Sequence, residues 1–187
     1  MTLITREKAL ELLHQHVRNE KMILHCLASE AVMHGIARKL GRDEDKWGIA
    51  GLLHDLDVEI TQADPKIHGT QTDVLLKDYH LDDDILDAIR MHNECSSGKE
   101  RETEFQYALA AGETITGLIF ATTYVYPDRK LSSVKPKSVV KRMKEKMFAA
   151  TVKRENILEC EKIGIPLDEF ASLAITSMLP IAGELGL

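Results

Sequence analysis

Histidine and aspartate stand side by side at the end of an apolar segment, at His54-Asp55 after residues 49–53. Neighbouring helical residues point about 100° apart, so a metal ion that binds both must lie near a helix end. Further imidazoles and carboxylates occur in or beside apolar periodic segments: His25, His68, His92 and Glu113. Side chains of these two types that converge from several helices would form a site for zinc, manganese or iron.

This pattern resembles the HD superfamily of metal-dependent phosphohydrolases. The resemblance rests on a helical histidine, a Leu-Leu-His-Asp segment and a later acidic residue on another helix, here His25, Leu52-Leu53-His54-Asp55 and Glu113. His68 and His92 resemble the extra histidines of the members that hold two metals. The resemblance therefore implies six metal ligands: His25, His54, Asp55, His68, His92 and Glu113. Asp55 would bridge the ions.

The sequence departs from the superfamily at one ligand position, where Asp is usual and Glu113 stands. The longer side chain can still bind metal, but it would shift the ion or withdraw the residue from direct binding.

Later segments resemble a stand-alone bacterial and archaeal branch of the superfamily, known as predicted hydrolases. These segments are Thr116-Gly117-Leu118-Ile119, residues 137–141 and Phe148-Ala149-Ala150, so the resemblance spans roughly residues 20–187. It implies a divalent metal cofactor of two ions, drawn from Fe, Mn, Zn and Mg. We predict Asp55, His54 and Asp57 as the catalytic residues. Asp57 and Glu59 are also candidates for orienting the ligands.

The predicted ligands favour hydrolysis by metal-activated water, because bound divalent ions lower the pKa of water toward neutrality. The sequence has no Gly-x-Ser-x-Gly motif, no Walker-type phosphate loop and no Gly-x-Gly-x-x-Gly fingerprint. We therefore predict a metal-dependent phosphohydrolase that acts on a nucleotide or another small phosphate ester.

Two other classes of function share these residues. Some two-metal relatives with the same ligand pattern use a mixed-valence di-iron pair for oxygenation, which bound iron and oxygen uptake would identify. The second alternative is a non-catalytic, nucleotide-binding HD module, and the departure at Glu113 is the feature that favours it. Replacement of Glu113 by Asp would raise the activity of an impaired enzyme but not of a binding module.

Positive charge is concentrated in residues 129–154. That segment contains ten Lys or Arg and one Glu, a charge of +9 that leaves −15 for the remainder of a chain whose net charge is −6. A basic segment beside an acidic metal-binding body would hold an anionic substrate. We predict four substrate-binding residues in it: Lys137, Lys141, Lys144 and Arg154. Sustained nucleic-acid binding is not expected, because the patch is single and the whole chain is acidic.

Almost every segment of the 187 residues has helical periodicity, which predicts an all-α, HD-type helical bundle with additional C-terminal helices. The predicted helices cover about residues 5–17, 20–40, 43–54, 64–79, 82–92, 103–124, 136–148, 153–163 and 167–184. We predict one domain over residues 1–187, with a metal core at about 20–125. The basic extension at about 129–187 would pack on this core as a lid or brace.

Several other features of the sequence limit the possible functions. His34 lies nine positions after His25 and so on the opposite helix face; we predict structural roles for it and for His14, His16 and His80. The three cysteines have no paired spacing and predict reduced thiols. No apolar segment approaches the roughly 20 residues that span a bilayer, and residues 1–6 lack a signal-peptide core. We expect a cytoplasmic protein, and the sequence predicts no oligomeric state.

Overall fold

The computed structural model describes residues 4–187 and confirms the all-α prediction. Over these residues the chain forms ten α-helices and no β-strand. The helices are α1 Arg6–His16, α2 Glu20–Leu40, α3 Glu44–Leu53, α4 Thr72–Leu76, α5 Asp83–Met91, α6 Glu94–Ser97, α7 Glu104–Tyr124, α8 Pro136–Met143, α9 Arg154–Leu158 and α10 Leu167–Met178. Four 3-10 helices lie at Lys77–Tyr79, Leu131–Ser133, Glu159–Ile163 and Leu179–Ile181. The first three residues of the predicted domain lie outside the described range.

Side-chain caps begin the helices of the metal-binding region, as the sequence predicts for α1 and α3. The side chain of Thr5 accepts a hydrogen bond from the backbone N–H of Lys8, and that of Asp43 accepts one from Lys46. Thr103 opens α7 with a reciprocal capping box. At the other end of α2, Gly41 adopts the left-handed conformation at φ 66° and ends the helix.

The two longest helices, α2 and α7, pack against each other, and α3 packs against both. Their apolar side chains share one buried cluster with α5; fully buried members include Met33, Leu52, Ile89 and Leu109. From the C-terminal region, α10 packs on α2 and α9 packs on α7. Within residues 4–187, no helix is both long enough and apolar enough to cross a membrane.

The helix predicted from Asp64-Pro65 is wrong in its first half, because residues 54–71 form a series of turns and α4 begins only at Thr72. The Asp64 carboxylate accepts a hydrogen bond from the backbone N–H of Lys66, which closes a turn rather than starting a helix. Gly69 has φ +90°, and a Cβ there would lie 3.2 Å from the ring of His92. The chain turns at this glycine so that the neighbouring histidine comes close to the His-Asp pair.

The C-terminal helices are shorter than predicted. The helix expected over residues 136–148 ends at Met143, and Met147 beyond it is 90% exposed. The last helix ends at Met178 because Pro180 cannot continue it. The one-turn helix α6 covers Glu94–Ser97, and Gly98 ends it in the left-handed conformation.

Close approach of α2 and α3 requires a glycine at position 51. A Cβ at Gly51 would lie 2.8 Å from the carbonyl oxygen of Ser29 and 2.9 Å from the backbone nitrogen of Glu30. These are backbone atoms of α2, so an added methyl group would push the helices apart.

We therefore expect Gly51→Ala to lower the free energy of unfolding by about 1–3 kcal/mol, the usual cost of overpacking. Urea denaturation would measure this loss. Gly183→Ala is the matched control, because a Cβ at Gly183 meets nothing within 4 Å. Equal stability of Gly51→Ala and the wild-type protein would contradict the predicted overpacking.

Candidate metal centre

The structure brings the six predicted ligands together from five parts of the chain. His25 comes from the first half of α2 and Glu113 from the middle of α7. His54-Asp55 directly follows α3, and His92 directly follows α5. His68 comes from the turns between them. The two helix-end positions agree with the expectation that a metal shared by adjacent residues lies where a helix stops.

The six side chains contain two groups of possible ligand atoms that share the Asp55 carboxylate. Asp55 Oδ2 lies 3.6 Å from His25 Nε2 and 3.4 Å from His54 Nε2. The other oxygen, Oδ1, lies 2.9 Å from His68 Nε2 and 3.6 Å from His92 Nε2. Each carboxylate oxygen thus faces one pair of imidazoles, which is the arrangement expected of a residue between two cations.

The histidine rings are oriented by contacts of their Nδ1 atoms. Nδ1 of His54 donates to the carbonyl oxygen of Gly51 at 2.8 Å, and Nδ1 of His92 donates to that of Ile89 at 2.5 Å. Nδ1 of His25 lies 2.9 Å from the hydroxyl of Thr116. That hydroxyl donates its own hydrogen to the backbone carbonyl of residue 113, so it accepts from the ring. With the proton on Nδ1, each Nε2 is left with a lone pair for a metal.

The spacing of the nitrogens fits ligands of a common ion. His25 Nε2 and His54 Nε2 are 3.1 Å apart, and so are His68 Nε2 and His92 Nε2. Two nitrogens that each lie about 2.1 Å from one ion are about 3.0–3.4 Å apart at tetrahedral to octahedral bond angles. Burial lowers the pKa of His54 to about 3, so this ring is neutral. The donor set therefore fits divalent metal, with one histidine pair and one Asp55 oxygen for each of two positions.

The side chains around Asp55 favour its charged form. Burial would raise the pKa of Asp55, but the hydrogen bond from His68 and the other imidazoles around the carboxylate outweigh it and hold that pKa well below the usual range. Burial also opposes a charge on His68. Contacts with Asp55 and Asp57 outweigh that effect and raise the pKa of His68 to about 10. A metal that binds His68 must therefore displace a proton.

Asp57 supports His68 rather than facing the cleft. Its side chain is fully buried and accepts hydrogen bonds from the backbone N–H groups of Gly69 and Gln71. Asp57 Oδ1 also lies 2.8 Å from His68 Nδ1, off the line of the ring N–H, so this contact is electrostatic more than a linear hydrogen bond. The structure thus places Asp57, predicted as catalytic, behind His68, one of the predicted metal ligands.

Glu59, the other candidate for orienting ligands, contacts no histidine. Its carboxylate accepts hydrogen bonds from the backbone N–H groups of Arg18 and Asn19, at 2.6 and 2.8 Å. Those residues join α1 to α2, so Glu59 fixes the start of α2.

Glu113 lies beside the first histidine pair but belongs to neither ligand group. Its Oε2 is 3.6 Å from His25 Nε2, and its Oε1 accepts a hydrogen bond from Thr114. Burial raises the pKa of Glu113 above the usual value for a carboxyl. The longer side chain thus places its carboxylate near the ion position without joining the set around Asp55.

None of the four predicted substrate-binding residues lines the cleft that contains the histidines. Lys137 and Lys141 are exposed on α8, and Lys144 follows its end. The guanidinium of Arg154 is turned toward its own chain, where it donates to the carbonyl oxygens of Phe148, Ala149 and Val152. It therefore shapes the turns of residues 145–152. Among the Lys and Arg residues that the structure describes, the one that lines the cleft is Lys153.

Two further polar residues at the site are absent from the sequence-based prediction. Thr116, which orients His25, lies one helical turn after Glu113, and that spacing could have identified it. Asn156 lines the cleft, is 6% exposed and donates to the Thr114 hydroxyl at 3.4 Å. Its position depends on how the C-terminal region packs on α7, which periodicity does not report.

We expect metal content to separate the two ligand groups. His25→Ala and His92→Ala should each lower the metal bound per chain by about one ion, because each removes a ligand from one group. His54→Ala should in addition lower thermal stability, since it opens the buried core beside Asp55. Elemental analysis of protein purified anaerobically without chelator gives the stoichiometry. An unchanged metal content in all three variants would contradict the site.

His14→Ala is the matched control for these substitutions, because His14 is exposed on α1, belongs to neither ligand group and does not line the cleft. It should keep full metal and full stability. His34 is a less suitable control because its ring packs against Gly48.

We expect Asp57→Asn to weaken metal binding by about 10- to 100-fold, the usual effect of losing a residue that orients a ligand. The amide cannot provide the charge that faces His68, and its NH2 group would oppose the backbone donors of Gly69 and Gln71. Titration of metal into chelator-treated protein measures the affinity. Glu59→Gln is the paired control and should leave the affinity unchanged; an equal loss in both variants would refute the assigned role.

Comparisons with known proteins agree with this geometry. The family model described as HD domain matches residues 22–128, which is more than half of the chain and includes all six predicted ligands. Neither the curated proteins nor the solved structures that were searched contain a match. HD-domain proteins form a superfamily that includes metal-dependent phosphohydrolases, and the His54-Asp55 pair lies inside the matched region. The chain belongs to the HD superfamily.

Proposed function

We propose that this protein is a metal-dependent phosphohydrolase that acts on a small phosphate ester through metal-activated water. The observation that carries the proposal is the Asp55 carboxylate shared by two imidazole pairs in an open cleft. Two closely spaced divalent ions are a common means of activating water against phosphate esters. Membership of a superfamily that includes such hydrolases supports the same reaction.

The chain's own residues provide what such a site needs around the metal. A divalent ion bound by imidazoles and a carboxylate supplies an acidified, nucleophilic water. Asp55 supplies the negative charge common to both positions, and His54 and His92 provide a buried imidazole to each ligand group. Asp57 holds His68, and Thr116 holds His25.

The cleft is suited to a small phosphorylated molecule. Its volume is about 820 Å³, within the usual range for ligand pockets. It combines the ligands with an apolar wall that includes Met22, Val58, Pro65 and Val152. The described residues that line it include no serine and no cysteine.

A nucleotide is one candidate substrate, and the cleft would bind its base by aliphatic rather than aromatic contacts. The lining residues among positions 4–187 include no Phe, Tyr or Trp. Trp47 is buried and stacks on Phe105, with ring centroids 4.7 Å apart. Esters with a compact or aliphatic group are thus substrates as suitable as nucleotides.

The test is phosphate release from nucleoside monophosphates, p-nitrophenyl phosphate and small aliphatic phosphate esters, with Mn²⁺, Mg²⁺ or Fe²⁺ under anaerobic conditions. We expect hydrolysis in the wild-type protein and at least about a thousandfold loss in Asp55→Asn, which removes the charge common to both metal positions. His14→Ala should retain full activity. Oxygen uptake in a parallel aerobic assay, without phosphate release in either assay, would instead identify an oxygenase, and tight ligand binding without turnover would identify a binding module.

The activity of the Glu113→Asp variant distinguishes between two possibilities, an impaired enzyme and a non-catalytic binding module. The Glu113 carboxylate lies beside the first histidine pair but outside both ligand groups, and a shorter side chain changes its reach toward the ion. We expect the variant to hydrolyse phosphate esters faster than the wild-type protein. A complete lack of hydrolysis in both proteins, with metal bound, would refute the proposed function.

A further inference from the structure

Lys153 is the one Lys or Arg among the described residues that line the metal-binding cleft. It follows the turns of residues 145–152, which the Arg154 guanidinium holds through three backbone carbonyls. These turns pack on α7, since a Cβ at Gly117 would lie 3.3 Å from the side chain of Val152. The backbone near Lys153 is therefore fixed beside the cleft, while the Lys153 side chain remains 47% exposed.

The ammonium group of Lys153 is held by an acidic partner that has a second, stronger attachment. Lys153 Nζ lies 2.9 Å from Glu94 Oε1. The other carboxylate oxygen, Glu94 Oε2, accepts a hydrogen bond from Arg101 at 2.6 Å. Glu94 therefore keeps a cationic partner when Lys153 turns away from it.

Arg101 connects this pair to the metal centre. Its side chain is 4% exposed, and it donates to the backbone carbonyls of Met91 and His92. It also pairs with Glu159 at 3.0 Å. A buried guanidinium with this many acceptors stays in place, so the movable member of the cluster is Lys153.

Exchange of partners by Lys153 costs little. Pairs between partly exposed charges typically contribute about 0–1 kcal/mol, because water solvates both ions once they separate. A phosphate group in the cleft offers the ammonium several charged oxygens close to the apolar side chain of Val152, where solvent screening is weaker. The exposed side chain of Thr151 and the buried amide of Asn156 line the same side of the cleft.

We propose that Lys153 binds an anionic oxygen of the substrate and leaves Glu94 to do so. The inference rests on the proposed function and deepens it: the substrate is an ester whose phosphate reaches residues 151–156 of the C-terminal region. It also gives the basic segment of residues 129–154 a specific role. One lysine of that segment enters the cleft, and Lys137, Lys141 and Lys144 lie outside it.

Binding of inorganic phosphate to the metal-loaded protein, measured by titration calorimetry, tests this assignment. We expect Lys153→Met to weaken the affinity by about 10- to 100-fold, the range of a lost hydrogen bond to a charged group. Lys153→Arg should retain most of it. Lys146→Met is the matched control, because Lys146 is an exposed lysine of the same segment outside the cleft. Elemental analysis should give the wild-type metal content for all three.

Glu94→Gln tests the exchange of partners. It releases Lys153, so phosphate should bind up to about fivefold more tightly, as the loss of an exposed ion pair allows. In the Lys153→Met background the same change should have no effect. A gain of equal size in both backgrounds would show that Glu94 acts through another group and would overturn the exchange.

The assignment of Lys153 and the proposed function fail in different ways. Equal phosphate affinity in Lys153→Met and wild-type protein overturns the anion site, even where the enzyme hydrolyses esters. Conversely, weaker phosphate binding in Lys153→Met supports the anion site, even if the protein with metal bound releases no phosphate from any ester. Absence of phosphate release from every ester overturns only the proposed hydrolysis.

Discussion

A buried carboxylate at Asp55 is the constraint on which the rest of the structure depends. Its side chain is 8% exposed, and a charge so far from water is costly unless cations or hydrogen-bond donors surround it. His68 donates a hydrogen bond to one carboxylate oxygen, and metal held by the two imidazole pairs, one pair at each oxygen, would supply further positive charge. The four imidazoles come from α2, the end of α3, the turns before α4 and the end of α5. The packing of these elements is therefore tied to the solvation of one anion.

Small residues and turns make that convergence possible. The glycine at position 51 lets α3 approach the backbone of α2, and its carbonyl oxygen holds the ring of His54. At Gly69 the positive φ turns the chain next to His92, and the preceding residue is the histidine that reaches Asp55. Each glycine thus serves both the packing of the chain and the direction of a metal-binding side chain.

Local chemistry made much of this fold and site predictable. The caps at Thr5 and Asp43 and the terminator at Gly41 depend on neighbouring residues alone, so the bounds of the first three helices agree with the sequence. The convergence of the residues in the two ligand groups was also predictable, because the superfamily pattern links them. The turns of residues 54–71 were not predictable. The Asp57 carboxylate organises them by accepting hydrogen bonds from backbone N–H groups that are distant from it in sequence.

The cleft-lining role of Lys153 was equally hidden, because it depends on a loop whose shape Arg154 sets through backbone carbonyls. A count of charges located the basic segment but could not tell a lysine that enters the cleft from a guanidinium turned inward. The ligands themselves stretch from residue 25 to residue 92, so the site exists only after distant helices have docked. Metal that needs all of these elements in place stabilises the native state more than the folding transition state. Bound metal would therefore slow the unfolding of this protein far more than it speeds its folding.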